Sequence, residues 1–357
     1  MATSKKTIAA KEELPIVEKK AKVIAPDKKT VVNKAAPKKT AVKKAAVKKT
    51  TVKKTAEKSA SKTAPTKLNF QLHYHTEFGQ NLFLTGNHVL LGNGDIANAI
   101  PMQYLNEQAW TVSIDWLEDL AKETVQYNYV LMNADGSTVV DWGSDRVIDI
   151  KAYKASQIQI IDTWNHAGYF ENAFYTEAFQ NVLLKEAQTE NKIKAEKSST
   201  HLFRVKSPLL SKNQVLCISG SFSKANNWSE ENLLLMQKKV ETPFFEISLN
   251  LGKEQFPIAY KYGVYDLELK KLVQFESGDN RIVHNQVVKK QLTIVNDGFT
   301  YLPNQSWKGA GVAIPVVSVR SQSSVGVGEF TDLIKMSDWA SMVGLKMIQL
   351  LPVNDTT

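Results

Sequence analysis

The sequence predicts a mainly β protein: a disordered N-terminal tail, two antiparallel β-sandwiches, and a short α/β segment at the C-terminal end. Three observations predict it. A lysine-rich repeat without aromatic residues occupies the start of the chain, short strand patterns separated by turn residues occupy the middle, and those patterns occur twice with matching spacings.

The tail covers residues 1–66. With 357 residues, 43% of them hydrophobic, the chain can hold two or three domains with ordinary cores, so the formal net charge of +9 has to be located before it is interpreted. Residues 1–66 contain nineteen Lys and five acids (Glu12, Glu13, Glu18, Asp27, Glu57), a net of +14, which leaves −5 for the rest. The basic character therefore belongs to the tail and not to a folded binding face. Lys28-Lys29-Thr30, Lys38-Lys39-Thr40 and Lys48-Lys49-Thr50 recur at a ten-residue step with Lys, Ala and Val between. Such a segment cannot bury enough apolar surface to offset the entropy of ordering. It resembles the tails of histone H1-like proteins, which leaves two readings: a solvating polycation, or an arm in weak nucleic-acid contact through counterion release. With no Arg and no aromatic to stack on bases, the first is favoured.

The first sandwich spans 67–152. Leu68, Phe70, Leu72 and Tyr74 alternate with Asn69, Gln71 and His73, the period of a half-buried strand. Further strands are predicted at Leu82–Thr85, Trp110–Trp116, Gln126–Leu131 and Thr138–Trp142, the last two joined through the turn signal Asp135-Gly136. The stretch 153–199 reads as a partly helical connector, because Ala173–Glu196 is rich in Ala, Glu, Lys and Gln.

The second sandwich, 200–290, repeats the first. Gln214–Gly220 answers Asn81–Gly86, Phe244–Leu249 answers Trp110–Trp116, and Ile258–Tyr262 answers Val125–Tyr129. Val273–Ser277 is set against Val140–Ser144, which places Phe275 at the position of Trp142; both lie 15 residues after a Tyr (Tyr260, Tyr127). Residues 291–357 change character: Thr331 caps a predicted helix to Val343 stopped by Gly344, and Lys346–Leu351 reads as a strand ended by Pro352. A helix feeding an apolar strand is the grammar of a parallel sheet. Gly326-x-Gly328 precedes the helix without the Lys-Ser/Thr of a phosphate loop, and so reads as a turn. Cys217 lies in an apolar run as a buried thiol, no segment has the length of a membrane span, and Met1–Ala10 lacks the apolar stretch of a secretory signal, so a cytoplasmic location is expected.

Trp228, Lys261, Phe275, Glu276 and Asn280 supply flat apolar platforms and neighbouring polar groups, the inventory for holding sugar rings; in a sandwich such aromatics more often serve the core. Asn227-Trp228, Ala259-Tyr260-Lys261-Tyr262 and Phe275-Glu276-Ser277-Gly278-Asp279-Asn280-Arg281 together resemble a family 20 carbohydrate-binding module, a starch-binding domain. The resemblance implies a glucan site on Trp228, Lys261 and Phe275, with Phe275 in place of a Trp. In the first copy Gly94 and Asn128 stand where Trp and Lys belong and Trp142 alone remains, so that copy is expected to bind weakly or to be structural. Ser306–Pro315, Ser318–Ser321, Gly326–Phe330 and Gln349–Thr356 resemble the opening of a family 77 4-α-glucanotransferase, which implies the start of a (β/α)₈ TIM barrel. It also implies a retaining transfer of α-1,4-glucan segments among starch, glycogen and maltodextrins, without cofactor or metal. None of the catalytic carboxylates falls in this chain, which by itself is expected to be inactive. Asn354 and Asp355 are candidates for the rim of the substrate cleft, or simply for a turn after the strand. Two alternatives stay open: a non-catalytic glucan-binding adaptor, and a nucleic-acid-associated protein acting through the tail.

Overall fold

A computed structural model describes residues 66–116, 124–153, 155–184, 198–239, 242–303 and 305–353. The Lys-rich tail up to residue 65, the second half of the predicted helical part of the connector (185–196), and Asn354 and Asp355 lie outside the described residues.

The first module runs β1 (Thr66–His73), β2 (Asn81–Gly86), β3 (Ile100–Pro101), β4 (Gln103–Asn106), β5 (Ala109–Trp116), β6 (Thr124–Met132), β7 (Thr138–Val140), β8 (Val147–Asp149) and β9 (Gln157–Thr163). The second runs β10 (His201–Lys206), β11 (Gln214–Gly220), β12 (Leu234–Leu235), β13 (Gln237–Lys238), β14 (Phe244–Leu249), β15 (Ile258–Asp266), β16 (Lys271–Phe275), β17 (Arg281–Val283) and β18 (Gln291–Phe299). The strands correspond one to one, each of the first nine to the strand nine places later, down to the short β3 and β12 that edge β2 and β11. The repeat predicted from spacing is therefore a repeat of topology.

One sheet of the sandwich is shared. Its order is β13-β14-β10-β18-β9-β1-β5-β4, so the last strand of each module lies side by side at the centre. Most pairings are antiparallel, as expected, but β1–β9, β9–β18 and β10–β18 are parallel. Successive side chains of a strand point to opposite faces, so each central strand feeds two cores. Ile158 and Ile160 of β9, with Leu292 and Ile294 of β18, enter the core of the first module; Ile161 and Val295 enter the core of the second. The outer sheets, β3-β2-β6-β7 and β12-β11-β15-β16, consequently cover opposite faces of the shared sheet.

This arrangement moves two boundaries. The first module ends at Thr163, not at 152, because β9 pairs with β1; the second ends at Phe299, not at 290, because β18 pairs with β10. Both strands lack clean polar alternation because both faces are buried, and on sequence β9 passes for connector and β18 for part of the C-terminal segment. Within the connector Phe170–Tyr175 is a 3₁₀ helix and Phe179–Leu183 a single π turn.

The same buried polar knot closes each module. Asp162 accepts the hydroxyls of Tyr127 (2.8 Å) and Tyr129 (2.7 Å) and pairs with Arg146 at 3.0 Å, while Arg146 also pairs with Asp141 at 2.7 Å. Asp297 likewise accepts Tyr260 (2.8 Å) and Tyr262 (2.6 Å), and Arg281 reaches Glu276 at 2.8 Å and Asp297 at 3.6 Å. Burial, and then the neighbouring carboxylate, push all four phenols well above the usual tyrosine range.

After the modules, β19 (Gly311–Ile314), α1 (Asp332–Met342) and β20 (Met347–Leu350) form a β-α-β unit with β19 and β20 parallel. The α/β segment thus holds two strands where the sequence reading had one. Thr331 occupies the N-cap position but makes no side-chain bond; Asp332 organises the turn instead. Its carboxylate accepts the Ser321 and Ser324 hydroxyls and the Glu329 amide, which hold it below the usual carboxyl range. Gly326, at φ 85°, makes the turn in front of the helix.

Candidate functional site

In the second module the outer sheet positions the candidate residues. Lys261 stands on β15 opposite Ser219, and two residues further Gly263 stands opposite Phe275. Tyr260 and Tyr262 point into the core, so Lys261 and position 263 face outward. A Cβ on Gly263 would lie 3.0 Å from Cδ1 of Phe275 and 3.1 Å from Sγ of Cys217, which puts the Phe275 ring across this bare position on the outer face. Cys217 beneath it is buried, and burial pushes its thiol up to about 12.

Trp228 is delivered by the loop after β11. Asn226, Asn227 and Trp228 take φ of 47°, 49° and 71°, three consecutive left-handed residues of which none is glycine. Each such residue costs roughly 1–2 kcal/mol, and the surroundings hold the run in place. Trp228 N–H donates to the Gly220 carbonyl (3.1 Å), Ser229 N–H to Ala225 (3.2 Å), and the Glu254 carboxylate receives the Ser223 amide at 3.2 Å. Phe222, fully buried, anchors the loop from below. Lys261 Nζ donates to the Gly278 carbonyl (2.7 Å) and so fixes the turn that carries exposed Asn280. Trp228, Lys261, Phe275 and Asn280 thus gather around one end of the outer sheet.

Glu276 has a different place from the one the sequence reading gave it. It is 3% exposed, both carboxylate oxygens receive Arg281 (2.9 and 2.8 Å), and one also takes the Tyr262 amide (3.0 Å). Its carboxylate oxygens are engaged inside the module, where they hold the turn.

The first module keeps the backbone of this site without its side chains. Gly94, at φ 77°, lies eight residues after Gly86 as Trp228 does after Gly220, and a Cβ there would meet nothing within 4 Å. Asn128, opposite Thr85 as Lys261 is opposite Ser219, donates to the carbonyls of Asp141 (2.8 Å) and Gly143 (3.3 Å). Asparagine ties the turn down at shorter reach. The register expected for Trp142 shifts by two residues. Val140 is opposite Val130 as Phe275 is opposite Gly263, and Asp141 precedes Arg146 by five residues as Glu276 precedes Arg281. Trp142 therefore corresponds to Ser277, not to Phe275, and lies at the junction of the modules beside Tyr175, Lys206 and Thr242. Nothing in sequence spacing brings those four together.

The fold and this array define a pair of fused β-sandwiches with an aromatic and polar surface on one of them. Residues 65–160 match the family model of the starch binding domain, and residues 314–357 match that of 4-alpha-glucanotransferase. The 4-alpha-glucanotransferase DPE2 of Oryza sativa subsp. japonica is 28% identical over 311 residues, 81% of this chain and 32% of that protein. The 4-alpha-glucanotransferase of Chlamydia muridarum is 48% identical over 46 residues, 13% of this chain and 9% of its own length. Among solved structures, the family 20 carbohydrate-binding module of a maltotetraose-forming amylase from Pseudomonas saccharophila is 18% identical, with a TM-score of 0.23, covering 27% of this chain and 97% of that one. The chain spans about a third of the rice relative. No helix among the described residues is long and apolar enough to cross a membrane.

Proposed function

We propose that the chain is the glucan-binding front of a cytoplasmic 4-alpha-glucanotransferase, with two tandem starch-binding modules ahead of the catalytic barrel. The observation that carries the reading is the set of Trp228, Lys261, Phe275 and Asn280 at one end of an outer sheet, within the same chain as a 314–357 segment matching the transferase family. Trp228 and Phe275 offer ring faces to the C–H face of glucosyl units, and Lys261 and Asn280 border them with hydrogen-bonding groups. The second module is the principal grip on α-1,4-glucan, and the Trp-less loop at Gly94 makes the equivalent face of the first module a poor one. Chain held there is delivered to a barrel of which β19, α1 and β20 form the start, where the family's retaining transfer passes glucan segments from donor to acceptor.

The test is affinity electrophoresis of the chain in gels containing glycogen. Burying one aromatic side chain contributes about 1.5–3 kcal/mol, so Trp228→Ala should weaken retardation about tenfold or more. Retardation equal to that of the parent would remove Trp228 from the site and the reading with it.

A further inference from the structure

The loop that carries Trp228 is held from outside itself. In both modules the chain leaves the outer sheet into a 3₁₀ turn, Val89–Gly94 after β2 and Ser223–Ala225 after β11. The first amides of such a turn have no partner within it and take an acceptor from elsewhere. In the first module the acceptor is local: His88, the N-cap residue, takes the Leu90 N–H on Nδ1 at 3.1 Å. In the second the N-cap residue is Phe222, whose side chain has no acceptor and is fully buried. The acceptor comes instead from Glu254, 31 residues beyond Ser223 on the segment between β14 and β15. Ser223 N–H lies 3.2 Å from each carboxylate oxygen, and the Ser223 hydroxyl donates to one of them.

Glu254 is itself fixed. Its N–H donates to the Leu251 carbonyl (3.1 Å), Leu251 is fully buried, and Leu251 N–H donates to the Thr200 hydroxyl in front of β10 (2.9 Å). From there the support passes through one residue. Glu254 holds the amide and hydroxyl of Ser223, and the Ser223 carbonyl receives Asn226 N–H at 3.0 Å, the first of the three left-handed residues that end at Trp228. A strained run persists only where its surroundings over-determine it. The Gly220 carbonyl fixes this run at Trp228 N–H, and Glu254 fixes its start through Ser223.

We infer that Glu254 is the positioning residue of the Trp228 site, acting on the indole through Ser223. The inference rests on the glucan-binding reading above and makes that site depend on a carboxylate from another loop. The first module, capped by its own His88, has no such dependence.

The test reads the loop and the binding separately on the full chain. With its seven tryptophans replaced by fluorotryptophan, the Trp228 fluorine resonance is the one missing from Trp228→Phe. Glu254→Leu removes both acceptors; it should shift or broaden that resonance, leave the others in place, and weaken retardation in glycogen gels about three- to tenfold. Glu254→Gln keeps one oxygen for Ser223 N–H and should recover most of both. Ser223→Ala, which removes the hydroxyl on the other side of the contact, should move the same resonance, and it carries the test if Glu254→Leu lowers the melting temperature. In the Trp228→Ala background Glu254→Leu should have no further effect on retardation. An unmoved Trp228 resonance with unaltered retardation in Glu254→Leu, or a loss of equal size with and without Trp228, would overturn the positioning role and leave the glucan reading standing. A parent that glycogen does not retard would overturn both.

Discussion

Arg146→Leu should lower the unfolding free energy of the chain by about 3–5 kcal/mol, the usual cost of stranding a buried charge. The guanidinium sits between Asp141 and Asp162, whose side chains are 1% and 0% exposed, and also donates to the Thr163 carbonyl at 2.7 Å. Burial already pushes the Asp141 carboxyl above its ordinary range despite the arginine beside it, and without Arg146 only the Asn165 amide would remain to hold its charge. Asp162 has a second duty: its other oxygen takes both Tyr127 and Tyr129, and Oδ1 receives the Asn296 amide of the second module at 2.6 Å. Leucine leaves two carboxylates facing each other in the core and loosens the strand pair that joins the modules. The counterpart Arg281→Leu should cost less, because Asp297 is 11% exposed and stands 3.6 Å away, where solvent can share its charge. Urea denaturation at pH 7, with the slope of the transition checked against the parent, measures both losses. A midpoint for Arg146→Leu within about 0.5 kcal/mol of the parent, or a larger loss for Arg281→Leu, would refute this account of the knot.

The knot also explains what could be read from the sequence and what could not. Strand pattern, the Asp135-Gly136 turn, the doubling of the module and the terminal helix were legible because each depends on local periodicity or on a short spacing. The register error at Trp142 came from matching one aromatic to another. The acid and arginine five residues apart, Asp141 with Arg146 and Glu276 with Arg281, carry the true register, since an ion pair fixes geometry that an aromatic side chain does not. Burial of Glu276 is illegible for the same reason: a charge beside an aromatic looks exposed until its partner is known. The central strands escaped because β9 and β18 are buried on both faces, and their pairing spans residues 134 apart, as between Ile160 and Ile294. The placement of Trp142 beside Tyr175, Lys206 and Thr242 is not legible at all, because only the shared sheet brings positions so far apart in sequence together.

Acid should weaken the second module through His201. This side chain is fully buried on β10, stacked between Phe203 (ring centroids 6.0 Å) and Phe256 (5.6 Å), with Nδ1 3.1 Å from the Thr200 hydroxyl and Nε2 lacking any hydrogen-bond partner among the described residues. An imidazolium there would need a second acceptor and would lose its hydration, and this burial lowers the histidine to about 4. The folded chain therefore binds the proton less readily than the unfolded chain, whose histidine titrates near ~6.5. The stability tied to the neutral ring is complete above about pH 6.5 and is lost as the pH falls through 4, in total about 3 kcal/mol. His73 of the first module, also lowered mainly by burial, adds to the loss in the same direction. Carboxylates titrate in the same range, so the measurement is a difference: urea unfolding of the parent and of His201→Leu at pH 7, 5.5 and 4.5. Leucine keeps an apolar side chain between the two phenyl rings and removes the titrating group, so its stability should decline less steeply and the two curves should converge toward low pH. Parallel curves across that window would mean that His201 takes up its proton as easily folded as unfolded, and that the stacked ring is not held neutral by its burial.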